Sequence, residues 1–249
     1  MSLYDDMRSE TLRFPQKPRI FAVWLPAPAN LNMPYRPAPA APPLELSGLY
    51  ARFGKRVLDI ALVLLTLPIT LPIIALCASA LWIESGPPFY WQDRIGLGGR
   101  RFRIVKLRTM VRDADALLAK YIATDPAIRE EWNRTQKLRN DPRITRVGNL
   151  LRVTSFDELP QLWNVLKGEM SLVGPRPMLP EQAKLYGDDA CYTSVRPGIT
   201  GLWQVSARNE REFSYRAKVD AVYCRSLSLW RDLVLMVRTV GVVVRGTGV

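Results

Sequence analysis

The sequence predicts an α-rich fold of mixed α/β class in a monotopic arrangement: embedded in one membrane leaflet by a re-entrant helix-break-helix and amphipathic interfacial helices, with one short β-hairpin. Three observations predict it. Residues 57–83 are strongly apolar, with Asp59 their only charge, and carry Pro68 and Pro72 at their middle. Two short strand-like runs flank Gly96-Leu97-Gly98-Gly99, and the apolar stretch 227–245 repeats Arg231, Arg238 and Arg245 every seven positions.

Composition narrows the chemistry before any motif is read. The chain has 249 residues, 48% of them hydrophobic, enough for a real core in one or two domains. A formal net charge of +12 calls for an anionic partner, which composition alone leaves open among nucleic acid, an acidic membrane face and a phosphorylated substrate. There is no histidine, which excludes Ser-His-Asp and Cys-His catalysis and His-ligated metals. Cys77, Cys191 and Cys224 are widely spaced and odd in number, so the expectation is reduced, structural thiols.

In chain order, residues 1–48 form the first segment. They hold nine of the twenty prolines, between Pro15 and Pro43, and read as a flexible, partly polyproline leader. Met1 to Leu12 is acidic and polar, unlike a signal peptide. A docking segment for a partner is the alternative for this leader.

Residues 49–85 form the membrane segment. As one helix, Val57 to Ile83 would be roughly 40 Å long against a hydrocarbon core of about 30 Å. A single straight span is the simplest reading, but Pro68 and Pro72 remove the bonds to the carbonyls of Leu64 and Pro68, and the halves they define are too short to cross. Thr66 and Thr70 are placed to satisfy the freed groups. Arg52, Lys55 and Arg56 precede the segment, while Arg94, Arg100, Arg101, Arg103, Lys106, Arg108 and Arg112 follow it with no acid between Arg94 and Arg112. Both flanks therefore read as cytoplasmic, and a re-entrant segment hinged at Pro68 and Pro72 reconciles length, prolines and charge.

Residues 86–249 form the third region. Phe89 to Gln92 and Arg101 to Lys106 read as strands joined by the glycine-rich turn. Ala114 to Tyr121 and Ala127 to Leu138 read as scaffold helices. Residues 227–245 suit a helix in the interface plane, arginines toward lipid heads; a buried globular helix is the alternative.

The chain is organised around residues 150–180. Pro160 lacks an N–H and fits best in a first helical turn, which places a helix start close to Asp157 and Glu158. A capping box of Ser155 with Glu158 is the competing start. Leu159, Leu162, Trp163, Val165 and Leu166 follow at helical spacing, then Gly168 as a stop and the turn Gly174-Pro175-Arg176-Pro177. Spacing by itself does not separate a reaction centre from favourable dipole electrostatics.

Resemblance does separate them. Asp157-Glu158-Leu159-Pro160-Gln161, the run Lys167-Gly168-Glu169-Met170-Ser171-Leu172-Val173-Gly174-Pro175-Arg176-Pro177, and Arg196-Pro197-Gly198-Ile199-Thr200-Gly201-Leu202-Trp203-Gln204 resemble the monotopic bacterial sugar transferases. These are the polyprenyl-phosphate hexose-1-phosphate transferases. Lys106-Leu107-Arg108-Thr109-Met110 is similar to a further motif of that family, and the likeness runs from about Lys55 to Val249. It is nearest to exopolysaccharide-priming galactose phosphotransferases. The family commonly has Ser-Pro at its membrane break, whereas this chain offers Leu67-Pro68 and Leu71-Pro72.

The resemblance implies an enzyme on the cytoplasmic face of the bacterial inner membrane. It would move hexose 1-phosphate from a UDP-hexose to undecaprenyl phosphate, releasing UMP, at the start of exopolysaccharide synthesis. By position Asp157 is the nucleophile and Glu158 a metal ligand or proton acceptor, with Mg²⁺ held by Asp157 and Glu158. Arg152, Arg176, Lys106, Arg108, Arg196, Gly198 and Thr200 fall in the substrate and phosphate set. Anionic lipids are expected neighbours, nucleic acid is not expected, and homodimerisation is left open. A nucleic-acid binder would lack its usual docking signatures here. A non-catalytic, membrane-anchored assembly protein would leave Asp157, Glu158 and Arg176 without a purpose.

The charge argument predicts topology. Cysteines placed just before Arg52 and near Gly98 should both resist a periplasmic thiol reagent in intact cells. Labelling of the first alone would establish a straight span.

Overall fold

The computed structural model describes residues 48–135, 138–186, 190–206 and 215–244. The proline-rich leader, up to residue 47, and Arg245 of the arginine stripe lie outside the described residues.

A π-helical turn, Tyr50–Gly54, runs into the long helix α1, Lys55–Ser85. Pro68 and Pro72 lie inside this one helix, so the two separate halves expected from them do not appear. A proline deletes one backbone bond and can bend a helix, but does not end it when the flanking residues stay helical. Nor do the threonines serve the freed carbonyls of Leu64 and Pro68. Thr66 Oγ1 donates to Leu62 O and Val63 O, and Thr70 Oγ1 to Thr66 O.

Helix α1 buries a single stripe. Asp59, Val63, Cys77 and Leu81 face inward. Val63 and Leu67 pack with Ile104, Val165 and Met170, while Ile73, Cys77 and Leu81 pack with Leu107 and Leu151. The rest of the helix is an uncovered apolar surface, with Leu65 73%, Leu76 72% and Ile83 86% exposed. By length and composition Tyr50–Ser85 could cross a membrane.

The predicted hairpin forms from β1, Phe89–Ile95, and β2, Arg101–Leu107, in antiparallel register from Phe89↔Leu107 to Ile95↔Arg101. Its turn, Leu97–Gly99, holds Gly98 at φ 64°, a left-handed backbone that glycine adopts without strain. Helices α2, Ala114–Thr124, and α3, Pro126–Thr135, follow, the second ending before Leu138. Then come α4, Arg146–Thr154, a 3₁₀ helix Phe156–Gln161, and α5, Leu162–Lys167.

A second, two-stranded sheet had no counterpart in the sequence reading. Strand β3, Ser171–Val173, pairs in parallel with β4, Gly198–Thr200. Gly174 and Gly198 meet back to back, leaving no room for a Cβ on either. Short helices α6, Ala183–Tyr186, α7, Ala190–Ser194, and α8, Leu202–Ser206, precede and follow β4 in the chain. The chain then forms α9, Tyr215–Arg225, and α10, Leu229–Val244.

Two expectations are corrected here. Cys191 and Cys224 form a disulfide between α7 and α9 rather than standing as separate thiols; Cys77 is free and buried. The two helices bring the sulfurs together within one core cluster, across a sequence separation of 33 that carries no periodic signal. Helix α10 is also less purely interfacial than its arginine spacing suggests. Leu235 is sunk in the core beside Val173 and Tyr223, while Trp230, Val237 and Val240 are exposed.

Asp232 explains why α10 sits where it does. Its buried carboxylate accepts from Tyr50 Oη at 2.6 Å, Tyr223 Oη at 2.9 Å and Lys55 Nζ at 2.6 Å. The base of α1 is thereby tied to α10. Removing the cation strands a buried charge, so Lys55→Met should cost about 3–5 kcal/mol. Thermal unfolding should show it as a drop of roughly 2–4 °C per kcal/mol, largely recovered in the double variant Lys55→Met/Asp232→Leu.

Candidate active site

Helix α4 ends in Ser155, the one non-glycine residue among those described with positive φ, at 58°. That turn lets the 3₁₀ helix begin at once, with Asp157 and Glu158 in its first turn as the sequence required. The start is at Phe156, earlier than the proline argument placed it, yet no capping box forms: the Ser155 side chain makes no cap bond. Pro160 sits deeper than a first turn, and the segment takes the tighter 3₁₀ form there.

Strand β2 and the turn after β3 bring cations to this dyad. Lys106 Nζ lies 2.6 Å and Arg176 Nη2 3.1 Å from the same oxygen, Glu158 Oε1. Arg152, one turn before Ser155, donates from Nε to Thr109 Oγ1 at 2.8 Å and lies close enough to Asp157 for their charges to interact. The Asp157 carboxylate makes no hydrogen bond or ion pair with the described residues, so its oxygens are left for a ligand.

The electrostatics follow from burial. Burial raises the Asp157 pKa, the adjacent Glu158 charge adds to the rise, and Lys106, Arg152 and Arg176 oppose it without cancelling it. Lys106 is lowered, chiefly by burial and against the pull of Glu158, while Arg176 is raised, chiefly by Glu158. The two cations share one acid yet move oppositely: at Lys106 burial, helped by repulsion from Arg176, outweighs the pull of Glu158, whereas at Arg176 the pull of Glu158 outweighs burial.

Hard oxygen donors at Asp157 and Glu158 suit Mg²⁺, which binds one or two carboxylates and takes its remaining ligands from phosphates and water. One Glu158 oxygen is already committed to two cations, so these residues could supply a partial donor set only. Among the described residues no third carboxylate, histidine or cysteine joins them.

The remaining expected residues divide. Arg108 donates to Ser85 O at 2.7 Å and ties down the end of α1, away from the dyad. Arg196 donates from Nε to Gly168 O at 2.8 Å, beyond the far end of α5 and near Arg56 and Asp59. Gly198 makes the close backbone approach to Gly174. Thr200 does reach the site: it pairs with Thr239 at 2.6 Å and lines a cavity of about 220 Å³ with Glu158, Arg176 and apolar Leu159, Ile199 and Val242.

Two supporting residues escaped the sequence reading. Buried Asn164 accepts from Val105 N at 3.1 Å and donates to Arg103 O at 2.8 Å, so it satisfies the unpaired edge of β2 and fixes the strand that carries Lys106. A polar residue within the apolar run of α5 was the available signal. Arg94 of β1 donates to Pro177 O, next to Arg176, at 3.1 Å.

The raised Asp157 pKa has a stability consequence. Its folded value lies above the ordinary value near 3.9, so the ionised carboxylate subtracts stability. The loss is absent below the unfolded value and complete once pH passes the folded one. Asp157→Asn should therefore melt above wild type at pH 7.5, with the gap closing as pH falls toward about 4. Equal melting curves at pH 7.5 would contradict the burial argument.

Undecaprenyl-phosphate galactose phosphotransferase of Salmonella typhimurium is 43% identical to this chain over 199 residues, 80% of this chain and 42% of that protein. Exopolysaccharide production protein ExoY of Rhizobium meliloti is 40% identical over 197 residues, 78% of this chain and 87% of that protein. UDP-glucose:undecaprenyl-phosphate glucose-1-phosphate transferase of Caulobacter vibrioides is 42% identical over 196 residues, 75% and 68% of the two chains. The chain thus spans less than half the length of some relatives and most of the length of others. The bacterial sugar transferase profile matches residues 50–246, and the chain belongs to that family.

Proposed function

We propose that the protein transfers hexose 1-phosphate from a UDP-sugar to undecaprenyl phosphate through a covalent intermediate on Asp157. The observation that carries this reading is the unbonded, partly buried Asp157 carboxylate beside Lys106, Arg152 and Arg176. Its neighbour Glu158 is held fast by two of those cations. The substrates are those in the names of the relatives, which include both galactose and glucose enzymes.

In the first step an Asp157 oxygen attacks the sugar-bearing phosphorus, the bond from that phosphorus to the bridging oxygen breaks, and UMP leaves with the bridging oxygen. In the second step an oxygen of the lipid phosphate attacks the same phosphorus, and the bond to Asp157 breaks. The carboxylate is regenerated and the lipid leaves as a diphosphate-linked sugar. Splitting one transfer into two is the usual role of a carboxylate nucleophile. Lys106, Arg152 and Arg176 hold phosphoryl oxygens, the guanidiniums in bidentate fashion. Glu158 keeps Lys106 and Arg176 in place. Asp157 and Glu158 would hold Mg²⁺, whose charge would offset that of the diphosphate oxygens.

The packing of α1 supports embedding in one leaflet, and the basic flanks of that helix support the cytoplasmic face. Both halves of the helix lie against the same domain, Val63 beside Ile104 and Leu81 beside Leu107. A helix crossing the bilayer would separate those two contacts by the hydrocarbon core.

Incubation with labelled UDP-sugar and Mg²⁺, without lipid, should leave the label on the protein and release UMP. The adduct should have the mass of a hexose phosphate and be missing in Asp157→Asn. Label retained by Asp157→Asn, or UMP release that requires both substrates bound together, would refute the covalent assignment.

A further inference from the structure

The hairpin presents more positive charge to the site than the proposed chemistry has used. In an antiparallel pair, residues directly opposite share a face. Register places Tyr90 opposite Lys106, Gln92 opposite Ile104 and Arg94 opposite Phe102, so Arg94 lies on the face that carries Lys106. The end of β1 is pinned beside Arg176 by Ile95 N donating to Met178 O at 3.0 Å, and by Arg94 Nη1 donating to Pro177 O. Arg94 Nη2 donates to Gln92 Oε1 at 2.5 Å, and Arg94 Nε–H is buried with no acceptor among the described residues.

The charges at this end do not balance. Arg216, itself 3.5 Å from Asp220, donates to the Arg176 carbonyl and adds a third guanidinium to the patch. Burial first, then repulsion from Arg176 and Arg216, brings the Arg94 pKa down to about 10. Of the three guanidiniums at this end, Arg176 has Glu158 and Arg216 has Asp220 as partners, whereas Arg94 has no ion pair with a described carboxylate and lies close enough to Arg176 and Arg216 to be repelled by both. Like charges gathered in a partly buried place are destabilising unless an anion joins them. A guanidinium has five donors in a fixed fork, and two of Arg94's are accounted for.

We propose that Arg94, with Arg176, forms an anion subsite for the phosphate group that is not transferred. That group is a phosphomonoester, carried by the nucleotide when it leaves and by the lipid when it arrives. The inference rests on the transfer reading above for the identity of its ligand. Arg94 is a binding residue in it, and nothing in the sequence beyond a basic run marked it out.

Binding to the full chain in detergent tests the subsite without turnover, using UMP, uridine and farnesyl phosphate as probes. Losing a charge-assisted hydrogen bond should weaken phosphate affinity about tenfold in Arg94→Gln, with uridine binding unchanged, a cooperative melting transition retained and Arg94→Lys intermediate. Loss for UMP alone assigns the subsite to the nucleotide, loss for farnesyl phosphate alone to the lipid, and loss for both to a subsite they occupy in turn. Unchanged affinity for both in folded Arg94→Gln overturns the proposal, whereas equal weakening of uridine and UMP makes Arg94 merely structural and overturns it as well. Should the variants not fold, phenylglyoxal modification of wild-type protein, mapped by peptide mass spectrometry, replaces them. UMP or farnesyl phosphate should then protect Arg94, and protection by neither overturns the subsite. If no hexose phosphate ever reaches Asp157 while phosphate affinity still depends on Arg94, the transfer reading fails and the subsite stands.

Discussion

One carboxylate oxygen, Glu158 Oε1, holds together three parts of the chain distant in sequence: Lys106 on the hairpin, the 3₁₀ helix, and Arg176 in the turn after β3. All three side chains are largely buried, so breaking the triad would leave charges that solvent cannot screen well. The arrangement makes a division of labour between adjacent acids. Glu158 compensates the cations, and Asp157, raised in pKa and unbonded, keeps its oxygens for a ligand. An acid pair at a helix start would otherwise be ordinary dipole electrostatics; here the two members have different surroundings.

A second set of buried polar contacts seats the apolar helix on this frame. Asp59 accepts from Ser171 Oγ at 3.1 Å and Leu172 N at 3.0 Å, which fixes α1 to β3, the strand that leads into Arg176. Arg56 donates to the last carbonyls of α5, Val165 O at 2.5 Å and Leu166 O at 2.8 Å, and so satisfies groups that a helix end leaves open. Lys55 adds the tie to α10 through Asp232. The polar N-terminal turn of α1 thus orients the helix, while its uncovered apolar side provides the surface for lipid. The residues that read as a positive membrane flank also position the site.

Local signals were legible in the sequence where the determining contacts are local. The hairpin was evident from its glycine turn, the acid pair from Pro160 and the following apolar run, and the C-terminal helix from its length. Pairings across the chain were not. Nothing in the spacing of Cys191 and Cys224 anticipates their bond, because it depends on how α7 and α9 meet. Parallel pairing of β3 with β4 involves three-residue strands, too short for a period-two pattern to register. The proline break failed differently: proline counting gives the number of lost hydrogen bonds, and whether the helix ends there depends on packing on both sides of it.

The basic run from Arg94 to Arg112 shows most plainly where composition stops being informative. Counted as charge, these residues form one positive flank. Strand alternation separates them. Arg101 and Arg103 are exposed on the outer face, Arg103 against Asp93, where an ion pair in water contributes little. Lys106 and Arg94 turn inward to the face that meets Arg176, and Arg108 caps α1. The same sign of charge therefore acts in different dielectric surroundings a few residues apart, and burial depresses the pKa of the inward pair and of Arg108. A one-residue slip in the hairpin would exchange the two faces and turn Lys106 away from Glu158 toward the apolar cluster around Leu107, leaving Glu158 with Arg176 alone. Register, held by Asn164 along the edge of β2, is consequently a condition for the charge balance at Asp157 as much as for the sheet.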